Sequence, residues 1–423
     1  MKILYVVLDG APDGFNAPRR VLDEAYKPNL DSLASACLSG LMYPVGPGVA
    51  PESDVAVMSL LGYDPQVYYT GRGPLEALGA GVSFYEGCVA FRANFATVDR
   101  ETLRIIDRRV GRSLSSWEAR EIAKALDGMS LSGGEARAVF KATVGHRAVL
   151  VLCGGRKLSA SVSNSDPAYE RRGLISVALK TFENKVAEVK PLEDTLEAEF
   201  TAELANEFTR RALEILEDHA VNKEREARGL PKANAVLLRD AGDRRPPAEP
   251  ISGKFGLKFT AIAEMPVEIG IARALSINVE SVDVEAYASK PQLLEAEALK
   301  SIEALEFSDA VYVHLKGPDE PGHDGDFEGK VRAVEDIDRY FFKIVLDKLD
   351  FRNVLVIVTS DHSTPWNLKA HSDDPVPVMI SHPRLGDKRR RFSELEFKGG
   401  SLGLIDAGYK LLPTVVNVVR DLS

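Results

Sequence analysis

The chain reads Gly317-Pro318-Asp319-Glu320-Pro321-Gly322-His323-Asp324-Gly325-Asp326 just after an apolar run, which places Asp319 and His323 four residues apart. Further on it reads Thr359-Ser360-Asp361-His362-Ser363-Thr364, again after an apolar run, and His371 follows. Three of the seven histidines therefore stand near carboxylates in one part of the chain. Carboxylate oxygens and imidazole nitrogens are ligands that divalent metals prefer. These stretches predict a metal site.

Short apolar, β-branched runs alternate with amphipathic patterns, which is typical of a mostly parallel sheet covered by helices. We predict an α/β fold with helices at 195–219 and 327–349 and with strands at 3–8, 149–153, 236–238, 259–263, 310–315, 354–359 and 376–380. In such sheets the ligand site lies beyond the carboxyl ends of the strands. Asp9, Asp319 and Asp361 each follow a predicted strand, so we expect them to meet at that edge.

Ser53 follows a segment with glycine and proline and precedes an apolar run, which places it at or near the start of a helix. Serine is common there because its hydroxyl caps the helix. The same position suits a nucleophile for phosphoryl transfer, because the amino end of a helix attracts phosphate and a metal activates the hydroxyl. The two roles are compatible, and Ser53 is the candidate nucleophile.

Each of these residues also has an ordinary interpretation. An aspartate close to a histidine is often a surface pair or part of a helix cap. Asp361 and His362 would point to opposite faces of a straight strand, so both can serve one site only if the chain bends past the strand end. His314 lies inside a predicted strand, and we interpret it as a core histidine or as a support for a ligand.

The composition is that of an ordinary globular protein, and it excludes several functions. The chain has 423 residues, more than one hydrophobic core usually serves, so two domains are expected. Its net charge of -10 argues against binding to nucleic acid or to an anionic membrane, since both need a basic surface. The apolar run 3–8 is too short for an export signal, and no later run reaches the roughly 18 residues of a membrane span.

The three cysteines, Cys37, Cys88 and Cys153, are few and widely spaced. A small, odd number supports neither a disulfide framework nor a cysteine-based zinc site. We therefore expect no disulfide framework and a reducing, cytoplasmic location.

The candidate metal residues are split along the chain, since Asp9 and Ser53 stand near its start and the others follow residue 318. This separation indicates one domain interrupted by an insertion. The glycine-rich stretch 70–81 and the polar, proline-bearing run 222–250 mark changes of composition, and we interpret the second as a loop or linker. We expect one domain that carries the candidate metal residues, interrupted by an insertion whose limits lie near these two stretches.

Several motifs together resemble a known family. In chain order they are Val7-Leu8-Asp9-Gly10, Lys27-Pro28-Asn29-Leu30-Asp31, Pro51-Glu52-Ser53-Asp54, Thr70-Gly71-Arg72-Gly73-Pro74-Leu75-Glu76-Ala77, His314-Leu315-Lys316-Gly317-Pro318-Asp319-Glu320, Asp361-His362-Ser363-Thr364-Pro365 and Lys369-Ala370-His371-Ser372. By these motifs the chain resembles the archaeal-type cofactor-independent phosphoglycerate mutases, members of the alkaline phosphatase superfamily.

The resemblance implies an alkaline-phosphatase-like, mostly parallel sheet sandwiched by helices, in a metal-binding catalytic domain formed by 1–76 and 246–423, with a smaller inserted α/β domain at 77–245 that binds the substrate. It also implies two divalent metal ions, manganese first, with zinc, magnesium or cobalt as alternatives. One ion would be held by Asp319, His323 and His371, and the other by Asp9, Ser53, Asp361 and His362. The candidate substrate-binding residues at matching positions are Arg72, His146, Arg147, Asp166, Arg239 and Lys258.

The activity that the resemblance implies is interconversion of 3-phosphoglycerate and 2-phosphoglycerate in glycolysis and gluconeogenesis, through a phosphoserine on Ser53 and without 2,3-bisphosphoglycerate. The partner is then a small-molecule phosphoglycerate, and a homo-oligomer stays open. A phosphomonoesterase, or a mutase of another phosphate ester, would use the same metal core. Ser360 and the segment 263–266 stand where the family pattern has glycine or a glycine-rich run, which keeps that alternative open. A non-catalytic, phosphometabolite-binding protein is a third alternative, although the intact ligands and Ser53 argue against it.

Overall fold

The structure is a computed structural model that describes residues 1–422. Its strands are β1 (Lys2–Leu8), β2 (Cys37–Met42), β3 (Val89–Val98), β4 (Ile105–Asp107), β5 (Ser130–Leu131), β6 (Ala136–Ala142), β7 (Arg147–Gly154), β8 (Tyr169–Arg172), β9 (Ile175–Ala178), β10 (Ala235–Gly242), β11 (Phe259–Ala263), β12 (Asn278–Ser281), β13 (Ala310–Leu315), β14 (Val354–Thr359), β15 (Val376–Ser381) and β16 (Gly403–Ile405).

Its α-helices are α1 (Val21–Glu24), α2 (Pro28–Ala34), α3 (Ser53–Leu60), α4 (Pro65–Tyr68), α5 (Arg72–Gly79), α6 (Ser116–Lys124), α7 (Leu196–Glu217), α8 (Ala220–Ala227), α9 (Ile251–Phe255), α10 (Pro266–Ala274), α11 (Lys290–Phe307), α12 (Asp319–Asp324), α13 (Phe327–Asp336), α14 (Lys343–Lys348), α15 (Glu394–Phe397) and α16 (Leu411–Leu422). A π-helical segment, Ile337–Phe342, joins α13 to α14. Short 3₁₀ segments occur at Val110–Arg112, Ser132–Gly134, Val284–Ala286 and Gly408–Lys410.

The chain divides into two compact units. The first unit comprises 1–69, 248–264 and the chain from 275 onward, and the second comprises 70–247 together with 265–274. The chain therefore passes from one unit to the other at four points, and α10 belongs to the second unit although its neighbours in sequence belong to the first.

A central eight-stranded sheet forms the core of the first unit, in the order β12-β11-β13-β1-β14-β15-β2-β16. The strands from β12 to β14 are parallel neighbours, whereas β15 runs antiparallel to both β14 and β2. Every residue of β13 and β14 is buried, as expected for parallel strands that are covered on both faces. The prediction of a mixed α/β fold with a mostly parallel sheet is confirmed.

The order of the strands explains why the predicted ligands meet. Strand β1 lies between β13 and β14 and is parallel to both, so the carboxyl ends of all three strands reach the same edge of the sheet. Asp9 follows β1, Asp319 opens α12 after β13, and Asp361 follows β14. The backbone alone therefore brings these three carboxylates to one edge.

Both predicted long helices are present. The pattern at 195–219 corresponds to α7, where the Thr195 side chain accepts a hydrogen bond from the Ala198 amide and so caps the helix. The pattern at 327–349 corresponds to α13, the π-helical segment and α14 in succession. Among residues 1–422, no helix combines the length and the apolar character needed to cross a membrane.

The second unit contains an antiparallel sheet in the order β10-β3-β7-β6-β5, with β4 paired to β3. The predicted strands 149–153 and 236–238 lie here, within β7 and β10, rather than in the parallel sheet. Strands β6 and β7 are joined by a short turn, which only antiparallel neighbours permit. The core of this unit includes Phe95, Phe140 and Phe208, and the Phe140 ring contacts the rings of the other two.

Helices α5 and α10 pack closely within the second unit. A Cβ atom on Gly79 would overlap the Pro266 carbonyl oxygen, and one on Gly270 would overlap the Leu75 carbonyl oxygen. Arg273 adds hydrogen bonds to two carbonyl groups at the end of α5. Only glycine permits this approach of the two backbones.

One expectation about the cysteines is wrong, because Cys88 and Cys153 form a disulfide. Antiparallel pairing of Val89 with Leu152 places the two cysteines side by side, with their Cα atoms 4.4 Å apart. They are 65 residues apart in sequence, so their spacing along the chain could not reveal the pairing. Cys37 remains a free, buried thiol.

The run 222–250, predicted to be a loop or linker, is irregular only in part. Helix α8 occupies its beginning and β10 its middle, while residues 228–234 and 243–250 lie outside helices and strands. The prolines at 246, 247 and 250 fall in the second of these irregular segments. The prolines were therefore the informative signal, and the polar character of the run was not.

Candidate metal centre and arginine cluster

Asp319, His323 and His371 form a compact group in the first unit, called here the outer group. His323 Nε2 and His371 Nε2 lie 3.4 Å and 3.5 Å from Asp319 Oδ1, and 3.1 Å from each other. Helix α12 begins at Asp319 and brings His323 to the same face one turn later. The three ligand atoms face a common point, and the His323 side chain is 42% exposed, so solvent reaches this group.

Each histidine of the outer group is oriented by a backbone carbonyl. His323 Nδ1 lies 3.2 Å from the Lys369 carbonyl oxygen, and His371 Nδ1 lies 2.8 Å from the Pro51 carbonyl oxygen. A carbonyl oxygen only accepts hydrogen bonds, so Nδ1 carries the proton and Nε2 presents a lone pair toward Asp319. Support of this kind is typical of histidines that bind metal.

Asp9, Ser53, Asp361 and His362 form a second, more buried group, called here the inner group. His362 Nε2 lies 3.4 Å from Asp9 Oδ1, 3.2 Å from Asp361 Oδ2 and 3.3 Å from Ser53 Oγ. Strand β14 ends at Thr359, and the chain is irregular beyond it, so Asp361 and His362 can face the same point. All seven predicted metal ligands thus lie in one of the two groups.

Two side chains that we did not predict as site residues contact the inner group. His314 Nε2 lies 3.5 Å from Asp361 Oδ2 and 3.9 Å from Asp9 Oδ1. Lys316 Nζ lies 3.2 Å from Asp9 Oδ2. The position of Lys316, just after a buried strand, is the same signal that identified Asp9 and Asp361. The buried His314 fits the interpretation of a histidine that supports ligands, and its contacts also suit a ligand.

The charges of the inner group compensate one another. Burial raises the pKa of Asp9, but Lys316 and then His362 outweigh it and hold that pKa well below its usual range. Burial likewise raises the pKa of Asp361, and His362 reverses the shift. Burial lowers the pKa of His362, yet Asp361 and Asp9 raise it well above its ordinary value. The two carboxylates are therefore anionic despite their burial.

The donor set of both groups fits divalent cations. Within residues 1–422, Asp9 Oδ1 and Asp361 Oδ2 are buried and accept no hydrogen bond. A buried carboxylate oxygen without a donor is costly, and a cation would satisfy it. Carboxylate and imidazole ligand atoms lie within 4.8 Å of one another in each of three overlapping sets, as a shared ion requires. Oxygen and imidazole donors suit manganese, zinc, magnesium and cobalt.

Thr364 joins the outer and inner groups. Its hydroxyl donates to Asp319 Oδ1 at 2.7 Å and lies 3.0 Å from His362 Nδ1. Because that hydroxyl proton is already donated, His362 Nδ1–H donates to Thr364 Oγ1 and Nε2 faces the inner group. Gly10 has a φ of +59°, and a Cβ there would come 2.5 Å from Thr364 Oγ1. Glycine is therefore needed beside Asp9.

Ser53 is the first residue of α3, and the extended Glu52 precedes it. The prediction that a helix begins at or near Ser53 is confirmed. The Ser53 hydroxyl is directed to His362 Nε2, at the amino end of a helix whose dipole favours negative charge. The Ser53 hydroxyl therefore faces the other residues of the inner group.

The second unit holds a different collection of charges, called here the arginine cluster, which consists of Arg72, Arg92, Arg147 and Arg239. Arg92 on β3 is directly opposite Arg239 on β10, and Arg147 on β7 is opposite Asn94 on β3. Residues that are opposite each other, or two apart on one strand, point to the same face of a sheet. The strand pairing thus places three of these arginines on one face.

Glu76 is the carboxylate nearest to the arginine cluster. Its Oε1 atom lies 3.1 Å from Arg72 Nε and 3.8 Å from Arg92 Nε. Burial, then Arg239 and Arg72, lower the pKa of the Arg92 guanidinium to about 9. Within residues 1–422, the Nε atoms of Arg92 and Arg239 are buried without a hydrogen bond. The arginine cluster therefore has an excess of positive charge that an anion would relieve.

Two other predicted substrate residues border the arginine cluster. Burial, and then Arg147, lower the pKa of His146 to about 3, so its imidazole is neutral near pH 7. Asp166 forms an ion pair with Arg108, in which Arg108 Nη2 lies 2.6 Å from Asp166 Oδ2. The Arg239 guanidinium lies 3.9 Å from the centre of the Tyr169 ring. Five of the six predicted substrate residues are thus in this region of the second unit, together with Arg92, which we did not predict.

Lys258 does not join the metal ligands of its own unit. It is exposed and directly precedes β11, a strand of five residues. Its position is therefore at the amino end of the parallel strands, whereas Asp9 and Asp361 follow carboxyl ends. A strand of that length separates the two edges of the sheet by roughly 17 Å.

Comparisons with known proteins identify the family to which the chain is similar. The family described as 2,3-bisphosphoglycerate-independent phosphoglycerate mutase matches residues 34–222. The enzyme of that name from Aeropyrum pernix is 54% identical over 425 residues, which cover 99% of this chain and 100% of the relative. The one from Methanopyrus kandleri is 40% identical and covers 100% of this chain and 96% of the relative.

Two solved structures are also similar over the full length. The cofactor-independent phosphoglycerate mutase from Thermoplasma acidophilum is 31% identical, with a TM-score of 0.60 and 100% coverage of both chains. A protein from Pyrococcus horikoshii is 29% identical, with a TM-score of 0.77 and coverage of 100% of this chain and 98% of the other. From these relatives, and from the ligand groups around Ser53, we conclude that the chain belongs to the 2,3-bisphosphoglycerate-independent phosphoglycerate mutase family.

Proposed function

We propose that the protein is an isomerase that interconverts 3-phosphoglycerate and 2-phosphoglycerate, a step of glycolysis and gluconeogenesis, without 2,3-bisphosphoglycerate. The observation that carries the proposal is the position of Ser53 Oγ, 3.3 Å from His362 Nε2 and among carboxylate ligands. The 54% identity with the Aeropyrum pernix enzyme supports the choice of phosphoglycerate as the substrate.

The proposed metal ligands form two sets. The outer group holds one divalent cation, and Asp9, Ser53, Asp361 and His362 hold the other. Such cations neutralise charge on the phosphoryl oxygens and on the attacking and leaving oxygens. We propose manganese as the ion, with zinc, magnesium or cobalt as alternatives, because the donor atoms suit all of them.

Ser53 is the proposed nucleophile. Its Oγ forms a bond to phosphorus while the bond between phosphorus and the glycerate 3-oxygen breaks, and the proton that Ser53 loses balances the one that this oxygen gains. The glycerate 2-oxygen then forms a bond to phosphorus while the bond between phosphorus and Ser53 Oγ breaks. The proton that the 2-hydroxyl loses balances the one that Ser53 regains, and 2-phosphoglycerate is released. The amino end of α3 favours the phosphate charge on Ser53 during the interval.

We assign retention of the glycerate to the second unit, within the proposed substrate-binding domain at 77–245. Arginine guanidinium groups bind carboxylates through two parallel hydrogen bonds, which fixes orientation as well as position. The arginine cluster offers buried Nε donors for this purpose. Asp166 fixes Arg108 beside the cluster, and the neutral His146 adds no charge.

Phosphorus NMR of the manganese-loaded protein with 3-phosphoglycerate tests the proposal. We expect the signal of 2-phosphoglycerate to appear without added 2,3-bisphosphoglycerate, and inorganic phosphate to stay a minor product. A spectrum dominated by inorganic phosphate would indicate a phosphomonoesterase instead. An unchanged spectrum would favour a non-catalytic, phosphometabolite-binding protein.

We also propose a cytoplasmic location. A disulfide is uncommon in that compartment, so the Cys88–Cys153 bond and the location can be tested together. Alkylation of the protein in a freshly lysed cytosolic fraction should modify one thiol, that of Cys37, once the fold is opened. Modification of all three cysteines would contradict the disulfide. Analytical ultracentrifugation would determine whether the protein is a homo-oligomer.

A further inference from the structure

Lys330 on α13 is a lysine whose side chain has no exposed surface. Its ammonium group donates to the Pro12 carbonyl oxygen at 3.1 Å, to Asp13 Oδ1 at 2.6 Å and to the Thr364 carbonyl oxygen at 2.7 Å. A lysine ammonium has three N–H donors, so these three acceptors use all of them. The geometry of this buried charge is therefore completely specified.

The acceptors of Lys330 belong to the two loops that carry the inner group. Pro12 stands three residues after Asp9, and Thr364 stands two residues after His362. The Thr364 amide also donates to the Pro12 carbonyl oxygen at 3.0 Å, so the loops contact each other directly. Lys330 binds a carbonyl group on each side of this junction.

Asp13 extends the junction to two further backbone segments. Besides Lys330, its Oδ1 atom accepts a hydrogen bond of 3.3 Å from the Trp366 amide, and its Oδ2 atom accepts one of 2.7 Å from the Val21 amide. Asp13 is itself 1% exposed. The loop after β1 is thus attached to the loop after β14 at both ends of this ion pair.

Stability alone does not explain such a pair. Desolvation of two charges offsets most of their attraction, and apolar residues of similar volume commonly replace a buried ion pair without loss of stability. An apolar pair could not hold two carbonyl groups at a fixed distance. What the Lys330 ammonium provides specifically is the spacing of the two ligand-bearing loops.

We infer that Lys330 is a positioning residue for the metal centre: its three hydrogen bonds hold the loops after β1 and β14 at the separation that lets Asp9, Asp361 and His362 share one cation. This inference rests on the proposed metal role of the inner group. Groups that orient ligands from outside the coordination shell typically change metal affinity by about 10- to 100-fold when they are replaced. We expect an effect of that size for Lys330.

The test is a titration of metal-free protein with Mn²⁺, in which electron paramagnetic resonance measures the free ion. All variants carry His323→Ala, which removes an outer-group ligand, so the inner group dominates binding. Lys330→Met should weaken Mn²⁺ binding by about 10- to 100-fold relative to His323→Ala alone. Because this variant leaves the Asp13 carboxylate buried without its cation, Lys330→Met/Asp13→Asn is measured as well.

Lys27 provides a matched control in the same unit. Its side chain is also fully buried, and its ammonium group lies 2.8 Å from Asp31 Oδ1 on α2. Within residues 1–422, neither Lys27 nor Asp31 forms a side-chain hydrogen bond or ion pair with the loops that carry the inner group. Lys27→Met should lower the melting temperature and leave Mn²⁺ affinity unchanged.

The double variant decides between positioning and simple stability. We expect its melting temperature to recover toward that of the parent while its Mn²⁺ affinity stays low. If affinity recovers together with stability, Lys330 only balances Asp13 and the inference is wrong. If Lys27→Met weakens Mn²⁺ binding equally, the effect is not specific to these loops and the inference is also wrong. Absence of Mn²⁺ binding in the unaltered protein would overturn the proposed metal centre and this inference together.

Discussion

The inner group and the arginine cluster both bury charge, but they balance it differently. In the inner group, anionic carboxylates lie among histidines and a lysine, and two carboxylate oxygens still accept no hydrogen bond within residues 1–422. In the arginine cluster, Glu76 Oε1 lies 3.1 Å from Arg72 Nε and 3.8 Å from Arg92 Nε, and Asp240 Oδ2 lies 3.6 Å from Arg239 Nε. Burial and then neighbouring charges of the same sign lower the Arg92 pKa. The first collection therefore favours cations, and the second favours an anion.

The comparison predicts its largest effect at Ser53, the proposed nucleophile in the inner group. Ser53→Ala should lower turnover by at least about 10⁴-fold, as loss of a nucleophile does in other enzymes that use one. Intact-protein mass spectrometry of the unaltered enzyme, quenched during turnover, should show a phosphate that the variant lacks. Ser59→Ala is the matched control, because Ser59 lies on the same helix and its buried Oγ makes no hydrogen bond within residues 1–422. Comparable isomerisation by Ser53→Ala would exclude the phosphoserine route.

Removal of a cation should have the next largest effect. Chelation should abolish activity and Mn²⁺ should restore it, and His323→Ala should lower turnover by about 10³-fold, because a phosphoryl charge loses its counter-ion. The control is His219→Ala, which removes a partly exposed histidine that caps α8 in the second unit. Full activity in a sample shown by elemental analysis to contain no metal would contradict the interpretation of both ligand groups.

Glu394 can be compared with the carboxylates of the inner group, because it is a buried carboxylate of the first unit outside both ligand groups. Burial, and then the charges of Asp13 and Asp23, raise its pKa to about 7, although Lys330 is also nearby. The folded state therefore keeps a proton that the unfolded state loses near pH 4.5, so stability is lost as pH rises from about 4.5 to 7.

Glu394→Gln should remove this loss. The gain in the free energy of unfolding of Glu394→Gln over the unaltered protein should be near zero at pH 4.5 and reach at most about 3 kcal/mol at pH 8. Denaturant unfolding at both pH values measures it. A difference that does not change between pH 4.5 and pH 8 would mean that Glu394 titrates normally.

Replacement of Arg92 should have the smallest effect, and the sign of its change in stability is the most informative. Because Arg92 faces Arg239 directly across two strands, Arg92→Met should raise stability by about 0.2 to 1 kcal/mol. It should also reduce isomerisation by about 10-fold and increase the share of inorganic phosphate, since glycerate is held less firmly. Lys258→Met, at the other edge of the parallel sheet, should change neither quantity. A variant that is less stable and equally active would show that the cluster is structural.

The grouping of most of the proposed metal ligands could be predicted from the sequence because these residues follow local rules. Asp9 and Asp361 stand just past buried strands, and His323 stands one helical turn after Asp319. Parallel strands bring their carboxyl ends to one edge, so the sequence predicts the shared edge, whereas the position of β1 between β13 and β14 brings the residues into contact. Lys316 obeys the same rule and could have been included.

The arginine cluster and the disulfide depend on pairing between distant strands. Arg92 meets Arg239, and Cys88 meets Cys153, only through a particular antiparallel register. No local pattern encodes that register, although a charged residue within the apolar run of β3 was a visible signal. Lys258 is a different case, because a resemblance at one position does not specify which edge of a sheet the residue occupies.

The glycine contact between α5 and α10 determines which pieces of the gene can be expressed separately. A fragment of residues 70–247 would contain Gly79 and Leu75 but would lack the helix that packs on them. The second unit is therefore assembled from two stretches of the gene, and the shorter one is translated after the longer one. During synthesis, α5 can pack against the complete α10 only after the ribosome has passed residue 274.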